Sequence, residues 1–172
     1  MSEILDFVTI WTQKSYFEIL EDWKRIIYKN TKNWNHKEKF TDPEEQVRAE
    51  FYVNLLEKYQ YESKDIAFEV QMPKRIPNQF ADLVIYEPNT NDAYFVIEFK
   101  KADISDNEFE QAVKQWIWNW RILNAKYYWT VAWNTSRFFE RQKDDNKFLR
   151  AAIEYLPNSI FIKDEGGNFI TF

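Results

Sequence analysis

Three short runs rich in apolar residues follow one another in the middle of the chain, and they limit its fold more than any other feature. Residues 66–71 alternate apolar and polar side chains, while residues 79–86 and 93–99 are strongly apolar and each enclose one acid. Runs of this length are typical of strands. A cluster of turn residues at 88–92 separates the last two runs. The sequence therefore predicts a central sheet in which these two strands can form a hairpin.

Amphipathic segments on both sides of these strands predict helices. Apolar side chains recur at three- and four-residue steps through residues 16–27, which predicts a helical extension within residues 1–40. Residues 41–45 offer a capping side chain, a proline and two acids, so a second helix is expected to begin here and to end near Tyr59. Further along the chain the pattern predicts a helix over residues 107–125 and a strand over residues 127–133. A last helix over residues 145–156 and a hairpin of residues 160–163 with 168–172 follow.

The predicted order of elements, α-α-β-β-β-α-β-α-β-β, defines the expected fold class. It predicts an α/β or α+β sandwich in which helices flank a mixed sheet. A chain of 172 residues has the size of one ordinary domain. We expect an N-terminal helical extension over residues 1–40 and a main domain over residues 41–172, packed as one compact unit.

Scarce residue types exclude several kinds of chemistry. The chain has no cysteine, which excludes disulfides, thiolate nucleophiles and cysteine-based zinc sites. Its one histidine, His36, cannot make a histidine-rich metal site, and its polar surroundings favour a solvated side chain. The two glycines are the adjacent Gly166 and Gly167, so neither a P-loop nor a GxGxxG turn is present. Carboxylates, lysine, tyrosine and serine remain as candidates for chemistry.

The sequence also predicts a location for the protein. No apolar run approaches the roughly 18 residues needed to span a bilayer. The first seven residues contain acids where a secretion signal has bases. A cytoplasmic protein without a membrane partner is therefore expected.

Charge is distributed unevenly along the chain, whose net charge is −5. Residues 1–110 carry 14 basic and 22 acidic side chains, whereas residues 111–150 carry 8 basic and 3 acidic ones. A phosphate backbone would most plausibly rest on the basic stretch, although an ordinary solvated surface explains the same pattern. The candidate DNA-binding residues that this stretch offers by their charge are Lys114, Arg137 and Arg141.

Two acids and a lysine within the apolar strands form the candidate catalytic group. Glu98 and Lys100 are two residues apart and point to the same face of their strand. A hairpin would bring Asp82 to the same end of the sheet. Two carboxylates with water make an oxygen-ligand site that suits Mg²⁺, and an adjacent lysine can orient a water or offset charge on phosphate. An isolated ion pair at a strand end is the alternative interpretation.

The order of these residues resembles the PD-(D/E)xK nuclease superfamily. Asp82 precedes Glu98 by 16 residues, a spacing that suits a hairpin, and Lys100 completes the ExK motif. The segment 45–48 on the preceding helix looks like the acidic-x-x-Arg segment at the start of that fold. From residue 43 to about residue 139 the chain looks like the nuclease domain at the N-terminus of type I restriction enzyme motor subunits. The resemblance implies a restriction-endonuclease-like core and a magnesium-dependent deoxyribonuclease, with manganese able to substitute.

The resemblance also implies roles for individual residues. Asp82 and Glu98 would be metal ligands, and Lys100 would position the attacking water. Glu45 would approach the metal directly or through water, unless it serves only as a helix N-terminal charge. Glu69, on the first strand, would support the site. Gln111 would contact DNA or hold the substrate-side loop, unless it is a plain surface amide.

The sequence departs from the family pattern at two places. Ala81 stands where many members have proline, which the superfamily tolerates widely. Gln115 follows Gln111 by four residues, where type I relatives often have tyrosine, so that tyrosine's role is unfilled. The motor domains of those relatives are absent from this sequence.

Three interpretations of function remain open at this stage. The first is an active metal-dependent DNA endonuclease that works with DNA and with a separate restriction or motor subunit. The second is a nuclease-fold module that binds DNA or a partner protein without cutting. The third is an aromatic-rich interaction protein, which leaves the acids inside apolar strands unexplained. The sequence does not indicate an oligomeric state.

Overall fold

The structure is a computed structural model that describes residues 12–20, 23–73, 77–101, 104–132, 135–141, 148–151, 162–163 and 169–170. Within these residues the chain forms two α-helices, one short 3-10 helix and eleven strands. The helices are α1 (Pro43–Glu57) and α2 (Asp106–Leu123), and the 3-10 helix is Ser63–Asp65. The strands are β1 (Phe17–Leu20), β2 (Arg25–Thr31), β3 (Trp34–Lys39), β4 (Ile66–Gln71), β5 (Phe80–Tyr86), β6 (Ala93–Phe99), β7 (Tyr127–Ala132), β8 (Thr135–Arg141), β9 (Phe148–Ala151), β10 (Ile162–Lys163) and β11 (Phe169–Ile170).

A mixed six-stranded sheet is the centre of the fold. Its strands lie in the order β4-β5-β6-β7-β8-β9. Only β6 and β7 pair in parallel, and the other four neighbouring pairs are antiparallel. A parallel pair needs a long crossover connection, and α2 supplies it here. The fold class predicted from sequence, a mixed sheet flanked by helices, is confirmed.

The two helices begin at well-capped positions. The side chain of Asp42 accepts a hydrogen bond from the backbone N–H of Glu44 at 3.0 Å, and Pro43 opens the first turn of α1. Ser105 and Glu108 form a reciprocal capping box at the start of α2, because the backbone N–H of each bonds to the side chain of the other. These caps set where each helix meets the sheet.

Two apolar layers fix the helices against opposite faces of this sheet. One layer joins α1 to the sheet face carrying Phe99 and Trp129, and Phe51 of α1 packs edge-on against both rings. The other layer holds Phe109 and Val113 of α2 together with small and aromatic residues of β5, β6, β7 and β8. Both faces of the sheet are therefore covered by a closely packed apolar layer. A charged side chain near the end of a strand lies at the edge of such a layer, whichever face it is on.

A second sheet, β1-β2-β3, closes the outer edge of β4. The turn between β2 and β3 reaches that edge, where the backbone N–H of Lys32 donates to the carbonyl of Ile66 at 2.7 Å. One residue on, the side chain of Asn33 accepts from the backbone N–H of Phe68 at 3.2 Å and donates to its carbonyl. The second sheet is thus fastened to the first by backbone groups of the edge strand.

The helical extension predicted over residues 1–40 is wrong for residues 17–20, 25–31 and 34–39, which form β1, β2 and β3. Among the described residues before 41 only Thr12 and Gln13 are helical, and residues 1–11 and 21–22 lie outside the described part. The apolar spacing in 16–27 also fits strands, since Ile26 and Tyr28 alternate inward and are fully buried. The same apolar residues fit a helical period of 3.6 and a strand period of 2, and the pairing of β2 with β1 and β3 selects the strand.

The structure also corrects the prediction near the C-terminus. Residues 135–141 form β8, which was not predicted, and residues 148–151 of the predicted helix 145–156 form β9 instead. The rest of that segment lies outside the described residues. The predicted hairpin is confirmed where it is described, as β10 paired antiparallel with β11.

Candidate functional site

The pairing of β5 with β6 ends where the charged residues begin. Leu83 pairs with Ile97, and one step further Asp82 faces the end of β6. There Oδ2 of Asp82 accepts a hydrogen bond from the backbone N–H of Phe99 at 2.7 Å. A carboxylate thus bonds to backbone at the end of the strand pair, which holds Asp82 beside the ExK residues as the sequence predicted.

Lys100 leaves β6 and turns its ammonium back onto the strand end. Its Nζ donates to Oε1 of Glu98 at 3.0 Å and to the carbonyl of Phe99 at 2.7 Å. Burial of Lys100 opposes its charge, but the carboxylates of Glu98, Asp82 and Glu44 outweigh burial and raise its pKa. Lys100 therefore keeps its positive charge at neutral pH.

Glu98 is the most enclosed of the acids at this end of the sheet. Only 2% of its surface is exposed. Its Oε1 receives Lys100, whereas its Oε2 is buried and has no hydrogen-bond partner among the described residues. Burial raises the pKa of Glu98 well above its usual range, and the neighbouring Asp82 raises it further. The positive charges near Glu98 therefore do not fully offset the cost of burying its carboxylate next to Asp82.

Arg48 of α1 joins the acids of three elements. Its guanidinium lies 3.2 Å from Oε2 of Glu45, 2.9 Å from Oε1 of Glu69 and 3.4 Å from Oδ1 of Asp82. The side chain is nearly enclosed and rests over the ring of Phe99 at 5.8 Å. Burial opposes its charge, but Glu45 and Asp82 outweigh burial and raise its pKa. A permanent cation thus connects helix α1 to strands β4 and β5.

Glu45 lies beneath this arginine rather than at the surface. Its carboxylate contacts Arg48 and also accepts a hydrogen bond from the hydroxyl of Tyr28 on β2. Burial raises the pKa of Glu45 to about 8, although Arg48 and Tyr28 oppose the shift. Glu45 is therefore buried and has two defined partners, Arg48 and Tyr28, unlike a solvent-exposed acid in the first turn of a helix.

Glu69 stands at an irregular point of β4. Its backbone has a φ of 46°, which is uncommon for a residue other than glycine. The regular pairs of β4 and β5 lie on either side of it, at Phe68 with Leu83 and at Val70 with Ala81. Its carboxylate lies 2.9 Å from Arg48, so β4, the first strand of the sheet, contributes an acid to this cluster.

The sequence reasoning gave no role to two residues of this cluster. Arg48 was recognised only as part of a motif, yet it contacts three acids. Glu44 was interpreted as a helix N-terminal charge, but its carboxyl group interacts with Lys100, Asp82 and the backbone N–H of Lys101. The only available signal was the pair of adjacent acids that opens α1.

The predicted DNA-binding residues lie in two different settings. Gln111 and Lys114 are exposed on α2. The guanidinium of Arg137 on β8 instead pairs with Glu110 at 3.0 Å, and that of Arg141 donates to the side chain of Asn124. Two of the four residues are therefore already engaged within the protein.

A comparison with known families bears on this constellation. Residues 43–157 match the family model described as type I restriction enzyme R protein N terminus, and this match covers more than half of the 172 residues. The chain belongs to this family. The match begins at the first residue of α1 and includes Arg48, Glu69, Asp82, Glu98 and Lys100. It supports the resemblance found in the sequence and indicates a nuclease-like module.

Neither a curated protein nor a solved structure was similar enough to the chain to count as a match. Among the described residues, no helix combines the length and the hydropathy that crossing a bilayer requires.

Proposed function

We propose that this member of the type I restriction enzyme R protein family is a metal-dependent DNA endonuclease that hydrolyses phosphodiester bonds. The observation that carries the proposal is the buried Oε2 of Glu98, which lacks a partner beside Asp82 and Lys100. Mg²⁺ is the proposed cofactor and Mn²⁺ a substitute for it. Asp82 and Glu98 are the proposed ligands.

The residues present fit such a cation on chemical grounds. Mg²⁺ binds through one or two carboxylates and keeps several water ligands. Glu98 offers an oxygen that is unpartnered among the described residues, and burial, the main cause of its raised pKa, makes the carboxylate costly unless a cation lies beside it. Oδ2 of Asp82 accepts a hydrogen bond from the Phe99 N–H, and its Oδ1 lies 3.4 Å from Arg48. The longer contact, with Arg48, is the one that a cation would replace.

Each nearby side chain has a definite task in the proposed reaction. The cation would polarise the scissile phosphate and lower the pKa of a bound water. Lys100 is held by Glu98 and the Phe99 carbonyl, so its ammonium is oriented before substrate arrives and can position the attacking water. Arg48 keeps Asp82 and Glu69 in place. Glu45 acts through Arg48 and Tyr28 on the described contacts, which makes it a positioning residue.

Mg²⁺ binding is expected to release protons and to strengthen as pH rises. Glu98 has a raised pKa, so a fraction of it is protonated before binding and must lose that proton to become a ligand. Calorimetric titration with Mg²⁺ in two buffers of different ionisation enthalpy, at pH 6 and pH 8, measures both effects.

The matched variants for this titration are Asp82→Asn, which removes a proposed ligand, and Asp92→Asn, in the turn between β5 and β6. Asp82→Asn should abolish the heat of binding, whereas Asp92→Asn should leave it unchanged. Equal Mg²⁺ binding by all three proteins would place the cation elsewhere.

DNA binding is expected to fall steeply with salt and to tighten when Ca²⁺ is present. Contacts from residues 111–150 would be mainly to the phosphate backbone, so binding should depend weakly on sequence. The acids at Asp82 and Glu98 repel DNA until a cation neutralises them. Fluorescence anisotropy with duplex DNA at two salt concentrations, with and without Ca²⁺, tests both expectations.

Two arginine variants locate the DNA on the surface. Changing Arg137 and Arg141 to alanine should weaken binding and lower the salt slope by roughly one per lost phosphate contact. Lys64→Ala, an exposed lysine paired with Glu62, is the control. A DNA affinity that does not change with salt, with Ca²⁺ or with either arginine substitution would favour the protein-interaction interpretation.

A non-cleaving module that binds DNA or a partner protein is the second candidate function. It is favoured by the contacts of Asp82, since both of its oxygens already face donors, Phe99 and Arg48. A separate restriction or motor subunit is the proposed protein partner, on the basis of the family. Incubation of supercoiled plasmid with Mg²⁺ or Mn²⁺, compared with the Asp82→Asn protein, decides between cutting and binding alone.

A further inference from the structure

A histidine and two glutamates from different strands converge beside the acids described above. One ligand atom from each of His36, Glu38 and Glu69 lies within 4.8 Å of the others. His36 and Glu38 are on β3, while Glu69 is on β4, so the group joins the two sheets. His36 and Glu38 precede the family-matched residues, which begin at 43.

The spacing of two of these atoms already suits neighbouring ligands of one cation. Nε2 of His36 and Oε1 of Glu38 are 2.9 Å apart. Ligands bound at about 2.1 Å in tetrahedral or octahedral geometry stand roughly 3.0–3.4 Å from each other. Residues two apart on a strand share a face, so β3 presents both side chains in the same direction. Glu69 would complete the set after a small side-chain movement.

Packing orients the histidine of this group, while Glu38 contacts that histidine and Glu69 contacts Arg48. The imidazole of His36 stacks on Phe68 with ring centroids 5.5 Å apart and an angle of 12° between the planes. The histidine side chain is 16% exposed, whereas Glu38 and Glu69 are 34% and 30% exposed. The group is therefore oriented by packing while it remains open to an ion from solvent.

Backbone conformation and charge at β4 support the same conclusion. Glu69 has a φ of 46°, an energetically costly conformation that the structure maintains at this point of the strand. Arg48 is within 4 Å of Glu69, Glu45 and Asp82 and also influences Glu38, so one cation faces several acids.

We propose that His36, Glu38 and Glu69 form a second divalent-cation site, selective for Zn²⁺ over Mg²⁺. An imidazole ligand favours transition metals, while Mg²⁺ prefers oxygen ligands alone. The site is separate from Asp82 and Glu98, because the guanidinium of Arg48 has one nitrogen 2.9 Å from Glu69 and the other 3.4 Å from Asp82. A bound ion would link β3 to β4 and hold the second sheet against the edge of the first.

The test uses the single histidine of the chain as its reporter. The protein is labelled with ¹⁵N, carries no histidine tag, and is titrated with Zn²⁺ while the imidazole nitrogens are followed by NMR. One equivalent should shift Nε2 and leave the hydrogen on Nδ1, whereas Mg²⁺ in excess should change neither nitrogen.

Matched variants connect that signal to the proposed ligands. Glu38→Gln and Glu69→Gln should each weaken Zn²⁺ binding about tenfold or more, while Glu62→Gln, an exposed glutamate near the 3-10 helix, should bind as the original does. Asp82→Asn should leave the histidine response intact, so this result is independent of the proposed nuclease site. A histidine unmoved by excess Zn²⁺, or moved equally in all variants, would overturn the proposal.

Discussion

Replacing Lys100 with alanine is expected to lower DNA cleavage by about a thousandfold while Mg²⁺ still binds. The ammonium is the only one of the three proposed catalytic groups that carries positive charge, and its loss removes a donor aimed at the attacking water, an effect of about 10²–10⁴ in rate. Lysine is not a metal ligand. Its removal also takes a competing cation away from Glu98, so the affinity for Mg²⁺ should stay the same or rise. Rates on a fluorescent duplex and calorimetry on the same preparation give both quantities.

Two controls make this result specific. Lys64→Ala removes an exposed lysine whose only described ion pair is to Glu62, and it should cut DNA at the original rate. Thermal unfolding should show that the Lys100→Ala protein stays cooperatively folded with a Tm lowered by less than in an Arg48 variant, since Lys100 pairs with one buried acid whereas Arg48 lies near three. Cleavage that survives the substitution would mean that the ExK resemblance assigned the wrong role to Lys100.

Replacing Arg48 with methionine is expected to cause the largest loss of stability among single substitutions at the site. The arginine is 6% exposed and lies within 4 Å of Glu45, Glu69 and Asp82. Methionine fills a similar volume but leaves these acids facing one another without a cation. Removing one partner of a buried ion pair costs about 3–5 kcal/mol. For a domain of this size Tm would fall by roughly 6–20 °C.

The matched control is the same substitution at Arg137. That guanidinium also forms an ion pair, 3.0 Å from Glu110, but its side chain is 26% exposed and its partner 33% exposed. Solvent-exposed pairs are worth about 0–1 kcal/mol, so Arg137→Met should shift Tm by only a few degrees. Differential scanning calorimetry compares the two variants. Equal shifts in Tm would show that the ion pairs of Arg48 stabilise the protein no more than the exposed pair of Arg137 does.

The sequence allowed the central strands, and the position of Asp82 and Glu98 at one end of them, to be predicted because local rules govern both. Residues 66–71 and 93–99 form strands with the predicted bounds, and the cap at Asp42 formed as expected. Acids within such apolar strands are costly to bury without a partner, which made Asp82 and Glu98 conspicuous. Their position at one end of adjacent strands follows from the hairpin.

The remaining features depend on contacts between distant segments. Residues 17–39 have spacing that fits a helix or a strand, and the choice depends on pairing within the second sheet and on packing against α1. Arg48 was visible in the sequence, yet its three partners come from α1, β4 and β5. His36 appeared solvated because its neighbours in sequence are polar, whereas Phe68, which stacks on it, is 32 residues away.

The fastening of the β2–β3 turn to strand β4 has a consequence for shortened forms of the protein. Lys32 and Asn33 occupy the outward backbone groups of Ile66 and Phe68, which otherwise belong to an open sheet edge. Unpaired edge strands recruit strands from other molecules and promote aggregation. A fragment that begins at residue 43, where the family match starts, would carry this edge uncovered. Expression of the family-matched segment by itself would then give self-association through β4, and keeping residues 12–42 would suppress it.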